Sequence, residues 1–169
     1  MPESENVIKG RIAQTLVEEL LKASGRRVYR LGAEVTLENI SQREEEFDKD
    51  SALGKKISSI PDFVVFSARN KPVFAEVKFR TDPESMEEEL LLEKEASEKF
   101  WETKIILVTV KEKPFFRVAS PPYFSKQARD GWPIPVARWR ALEKNADFGI
   151  DLAQLQRFEE LAVKYFSKK

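Results

Sequence analysis

Two apolar runs, one around Phe63-Val64-Val65-Phe66 and one around Val73-Phe74-Ala75, carry ionisable residues where a core would be better served by valine or phenylalanine. Asp62 belongs to the first run, and Glu76 and Lys78 to the second. Such groups are costly to bury without a partner. The polar stretch Ser67 to Lys71 between the runs reads as the turn of an antiparallel hairpin. With a symmetric turn centred on Arg69, facing positions have a constant sum. Val64 then faces Phe74, Phe66 faces Pro72, and Asp62 faces Glu76, with Lys78 on the same face because alternate strand residues point the same way. Two carboxylates set together are unfavourable unless a cation or a shared proton relieves them. A hard divalent cation, Mg²⁺ or Mn²⁺, would take both carboxylates, a backbone carbonyl and waters. It would acidify a bound water and stabilise charge on a phosphoryl oxygen, with Lys78 orienting that water or steadying the developing charge. This chemistry suits phosphodiester hydrolysis. The plain alternative is an ordinary strand pair with a surface ion pair from Lys78 to Asp62 or Glu76.

What the chain lacks narrows the chemistry further. It has no cysteine and no histidine, so disulfides, thiolate zinc sites and imidazole bases are excluded. Any catalysis falls to Asp, Glu, Lys, Tyr, Ser or an oxygen-bound metal. With 169 residues, 41% hydrophobic and 34% charged, the composition is that of one soluble domain. No apolar run approaches the roughly 20 residues of a membrane span, and Met1 to Asn6 is acidic and polar rather than signal-like. A soluble, cytoplasmic protein with no membrane partner is the expectation.

The elements that must position these residues follow from periodicity. Asn6 is expected to cap a helix from Val7 to Ala23, stopped by Ser24-Gly25. Gly10 and Gln14 lie side by side on the margin of its apolar face, with Glu18 one turn on. Arg26 to Leu31 reads as a strand that residues 32–37 could continue, and residues 38–59 as a long charged loop or short exposed helix. Asp82 or Ser85 starts a helix over Met86 to Phe100, acidic in its first turn. Lys104 to Val110 is nearly continuous in β-branched and apolar residues, which predicts a central strand covered on both faces. Pro114 to Ala119 is a further strand, a proline-rich connection follows, and Val136 to Glu143 is ambiguous. Asp151 caps a last amphipathic helix to Phe166. The order predicts an α/β fold, a central mixed β-sheet flanked by helices, as one domain over residues 1–169.

Pro61-Asp62 followed by Glu76-Val77-Lys78, between an amphipathic helix and a helix–strand unit, resembles the PD-(D/E)xK nuclease superfamily. The likeness spans about residues 7 to 119, leaving 120–169 as an extension. The start Lys9-Gly10-Arg11-Ile12-Ala13-Gln14 is similar to the first helix of small nucleases related to Holliday junction resolvases. The resemblance implies a restriction-endonuclease-like core in which Asp62, Glu76 and the Val77 carbonyl hold Mg²⁺ and Lys78 serves the attacking water. It also implies a DNA substrate and a homodimer. Many relatives carry a glutamate on the first helix, where this chain has the neutral Gln14, with Glu18 as a substitute one turn on. That departure, with an overall charge balanced at 29 basic and 29 acidic residues, keeps a second reading open: a nuclease-like domain without catalysis, acting as a nucleic-acid or protein interaction module.

A nuclease also needs cations that track phosphates, and the candidates are Arg11, Lys55, Lys56, Arg69, Lys71 and Arg80. Arg138-Trp139-Arg140 places an aromatic ring between two guanidinium groups, suited either to stacking on a base or to ordinary packing with the arginines in water.

Overall fold

The two apolar runs form the hairpin of β2 (Phe63–Phe66) and β3 (Pro72–Phe79). Its register pairs Val64 with Phe74 and Phe66 with Pro72, as a turn centred on Arg69 requires. The computed structural model describes residues 2–32, 50–95, 101–124 and 131–167. The loop is closed by Ser67 N–H donating to the Lys71 carbonyl at 2.8 Å. Ser67 Oγ accepts from the Arg69 and Lys71 amides. Asn70 takes the one left-handed position in the turn (φ 61°), which a short amide side chain tolerates better than most.

Around this hairpin the order in sequence is α1 (Pro2–Ala23), β1 (Arg27–Arg30), α2 (Ala52–Ser58), β2, β3, α3 (Ser85–Glu95), β4 (Lys104–Val108), β5 (Phe116–Ala119), β6 (Arg140–Ala141) and α4 (Leu152–Phe166). Among the described residues the sheet has six strands in the order β1-β2-β3-β4-β5-β6. All neighbours are antiparallel except β3 and β4. The parallel pair is the expected consequence of α3 crossing over between them.

Alternation along β3 separates two environments. Ala75 and Val77 are buried under α1 and α4, in a core with Val17, Leu20, Leu21, Phe158, Ala162 and Phe166. Glu76 and Lys78 point the other way, because they pair with Ile105 and Leu107 of β4, which lie in a second core with Met86 and Leu90 of α3. Fully burying each large side chain of these cores is worth about 1.5–3 kcal/mol, so the sheet is a firm platform for polar groups at its margin.

Helix α1 starts at Pro2 rather than Val7, so Asn6 lies inside the helix and not at its cap. Proline suits a first turn, the acids Glu3 and Glu5 suit the positive helix end, and Glu5 pairs with Lys9 at 2.6 Å. The stop at Ser24-Gly25 is a Schellman turn, with Arg26 N–H reaching the Leu21 carbonyl and Gly25 at φ 83°. Asp151 caps α4 as expected, its carboxylate accepting from the Ala153 and Gln154 amides. The ambiguous stretch Val136 to Glu143 becomes two 3-10 turns around β6. The described residues after Ala119 contribute to both cores: Tyr123, Val136 and Trp139 to the second, and Phe148 and α4 to the first. The proposed continuation of β1 into 33–37, the charged run up to residue 49 and the helix tail 96–100 lie outside the described residues. Among the described residues no helix is long and apolar enough to cross a membrane.

Candidate active site

The ladder between β2 and β3 ends at Phe63 and Ala75, one residue short of Asp62 and Glu76, and proline explains why. Positions 63/75 and 65/73 exchange hydrogen bonds in the same parity as 67/71, so the next exchange would join Pro61 to Val77. Pro61 has no N–H to donate, and its carbonyl accepts from Gly32 at 3.0 Å instead. The Val77 amide is therefore left to another acceptor, and the Asp62 carboxylate takes it at 2.8 Å. The Val77 carbonyl points to the same side as its N–H and has lost its ladder donor. Pro61 thus does more than end a strand: it brings the Asp62 carboxylate and the Val77 carbonyl to one edge.

Helix α1 completes this edge, with Gln14 Nε2 donating to Asp62 Oδ1 at 3.1 Å. α1 covers the sheet face opposite Glu76, so the contact exists only because Asp62 lies beyond the end of β2. Glu18, the alternative helix acid, is turned elsewhere. It is 8% exposed, and its two oxygens take Lys22 at 2.8 Å and Arg30 Nε at 2.6 Å. Burial pushes its carboxyl up, but the hydrogen bonds and charges of Lys22 and Arg30 outweigh burial and hold it below the ordinary carboxylate value.

On the other face Lys78 Nζ lies 3.3 Å from Glu76 and 3.2 Å from Glu89 of α3. Arg80 also pairs with Glu89, and its guanidinium bonds the Phe79 carbonyl at 2.6 Å. The expected ion pair between Lys78 and a strand acid is therefore present, but as part of a wider network. Glu89 escaped the sequence reading because nothing in its spacing from Lys78 ties a helix residue to a strand. The only signal was a run of acids in the first turns of α3, which a helix dipole explains equally well.

Among the described residues no three Asp or Glu side chains converge as a ready-made metal cage. The candidate donors, the carboxylates of Asp62 and Glu76 and the Val77 carbonyl, are all hard oxygens, a set that fits Mg²⁺ or Mn²⁺. About three waters or substrate oxygens would be needed in addition to complete the octahedron that Mg²⁺ demands.

The cations expected to track phosphates are scattered. Lys55 and Lys56 are exposed on α2, and Lys56 Nζ stands 5.9 Å from the centre of the Trp101 ring. Arg69 and Lys71 are exposed at the hairpin turn. Arg80 is engaged by Glu89 within the site. Arg11 lies in an apolar groove of about 550 Å³ between α1 and α4, with Ile12, Phe158 and Leu161, on the opposite side of the sheet from Glu76. Arg138 and Arg140 are exposed, but Trp139 between them is buried in the second core with its indole N–H on the Ile134 carbonyl at 3.1 Å. Trp139 therefore has the packing role, and the stacking role is withdrawn.

The fold and site define an α/β protein whose mixed sheet carries a carboxylate–lysine cluster at the margin of its β2–β3 hairpin. Comparison with protein-family models, curated proteins and solved structures gives no match.

Proposed function

We propose that this protein is a divalent-metal-dependent nuclease with a restriction-endonuclease-like core of the PD-(D/E)xK type, hydrolysing phosphodiester bonds of DNA. The observation that carries this reading is the edge created by Pro61, where the Asp62 carboxylate takes the amide of Val77, the residue between the paired Glu76 and Lys78. Asp62, Glu76 and Val77 are the residues that would hold the cation. When bound, it would acidify a water and neutralise charge on the scissile phosphoryl group. Gln14 and the Val77 amide fix the Asp62 rotamer. Lys78, steadied by Glu89, offers ammonium hydrogens to the attacking water or to a non-bridging phosphate oxygen, where its charge counts most as negative charge develops. The test is cleavage of DNA and RNA substrates with Mg²⁺ or Mn²⁺ by the wild type and by Asp62→Ala, Glu76→Ala and Lys78→Ala. Activity that survives all three substitutions removes this site from consideration.

One observation favours a second reading, an interaction module without catalysis. Gln14 occupies part of the Asp62 carboxylate while bringing no charge of its own. Titration calorimetry separates the two, since a module of that kind binds no divalent ion that Asp62→Ala and Glu76→Ala abolish.

A further inference from the structure

Phe74 lies on the same face of β3 as Glu76, two residues earlier and so about 7 Å away along the strand. Trp101 packs against it edge-on, with ring centres 5.7 Å apart and planes at 78°. The indole N–H donates to Ser59 Oγ at 3.1 Å, and the Ser59 hydroxyl in turn bonds the Lys56 carbonyl at 2.9 Å. Trp101 is only half-buried, and the ammonium of Lys56 stands over its ring. The ring is thus braced from both sides of the site: through Phe74 from the strand that carries Glu76, and through Ser59 from the segment that leads into Asp62 three residues later. This is an aromatic surface with a cation beside it, next to the candidate site.

We infer that Trp101 and Lys56 form a nucleotide subsite next to the candidate active site, in which Trp101 stacks on a base and Lys56 meets its phosphate. The inference rests on the nucleic-acid reading above and adds the substrate class. A base inside a duplex already has stacking partners on both sides, so a protein ring can only receive one that has left the stack. The preferred substrate is accordingly single-stranded DNA, or the unpaired strand at a fork, end or junction. Base-stacking aromatics and a cationic track are also the combination by which sequence-tolerant single-strand binding works.

The test is binding of a fluorescently labelled single strand and of a duplex of equal length, measured by anisotropy in EDTA so that no cleavage occurs. The single strand should bind more tightly than the duplex. Trp101→Leu, which keeps an apolar side chain against Phe74, should weaken single-strand binding about tenfold and leave duplex binding unchanged. Lys56→Gln, on an exposed helix position, should reduce the slope of log K against log salt by about 0.7, the mark of one lost phosphate contact on a single strand. Duplex binding as tight as single-strand binding would overturn the inference. So would a folded Trp101→Leu or Lys56→Gln variant with wild-type single-strand affinity and salt slope. The two readings fail separately. Single-strand binding that depends on Trp101, without cleavage in Mg²⁺, leaves the subsite standing and removes the nuclease, whereas cleavage with no effect of either variant on binding does the reverse.

Discussion

Two ion-pair networks lie on opposite sides of this sheet, and they are built on different terms. Around Glu18 two bases, Lys22 and Arg30, lie at hydrogen-bond distance, Glu19 stands 3.7 Å from Lys22, and the Glu18 carboxyl is held below the ordinary range. Around Lys78 the ion pairs join Glu76 of β3 and Glu89 of α3 to Lys78 and Arg80. The first network ties α1 to β1 on one face of the sheet, whereas the second ties α3 to β3 on the other, on the strand whose Val77 amide holds the Asp62 carboxylate of the proposed cation site.

The sharpest way to break this contrast is to remove charge from the proposed cation site without changing shape. Asp62→Asn retains one oxygen to accept from the Val77 amide, and Gln14 can rotate its amide to accept from the new NH₂ group, so the hydrogen bonds survive. Cleavage should fall by about a thousandfold and divalent binding should be lost, while the melting temperature in EDTA stays within a degree or two of wild type. A large drop in stability with metal binding retained would mean that Asp62 is architectural after all.

How much of this contrast was legible in the sequence varies by element. The hairpin register was, because a polar turn between two short apolar runs admits few alignments, and the pairs Val64/Phe74 and Phe66/Pro72 follow from it. So was the buried strand Lys104–Val108, whose composition leaves no solvent face. The helix margin was also legible, in that Gln14 does reach Asp62. Glu89 as a partner of Lys78 and the surroundings of Trp139 and Trp101 were not. Trp139 sits between two arginines in sequence yet is buried, whereas Trp101 has its cation and its aromatic neighbour from α2 and β3, far away in the chain. Contacts that cross between elements leave no periodic trace, and local composition misleads where tertiary packing decides.

Gln14 sharpens the comparison from the other direction. Gln14→Glu adds an acid to the proposed cation site, against Asp62 at hydrogen-bond distance. Without metal this should lower the melting temperature, since two carboxylates would share one site. With Mg²⁺ it should raise divalent affinity by about ten- to a hundredfold, the range over which groups that hold a metal's ligands act, so that the variant becomes the more stable protein at millimolar Mg²⁺. Calorimetry with and without Mg²⁺ gives both numbers, and an apo destabilisation that Mg²⁺ does not reverse would argue against a cation site at Asp62.

Glu89→Gln is expected to act more weakly. With Glu89 neutral, Lys78 is drawn toward Glu76, the carboxylate an incoming cation needs, so Mg²⁺ affinity should fall by about tenfold. Unchanged affinity in calorimetry would reduce Glu89 to a surface partner of Arg80.

The smallest effect belongs to the Glu18 network and is recognised by its pH dependence. Because the folded carboxyl of Glu18 lies below its ordinary value of 4.5, its ion pairs contribute fully to stability above that pH and lose their contribution as the pH falls through the lower, folded value. Lys22 and Arg30 are each nearly half exposed, so water screens part of the attraction, and Glu18→Gln should cost only about 1 kcal/mol at neutral pH. The difference from wild type in urea denaturation should hold from pH 8 to pH 5 and then shrink below about pH 4.5, as the wild-type acid takes up its proton and comes to resemble the amide. A gap that persists unchanged to pH 3 would show that Glu18 acts through packing rather than charge.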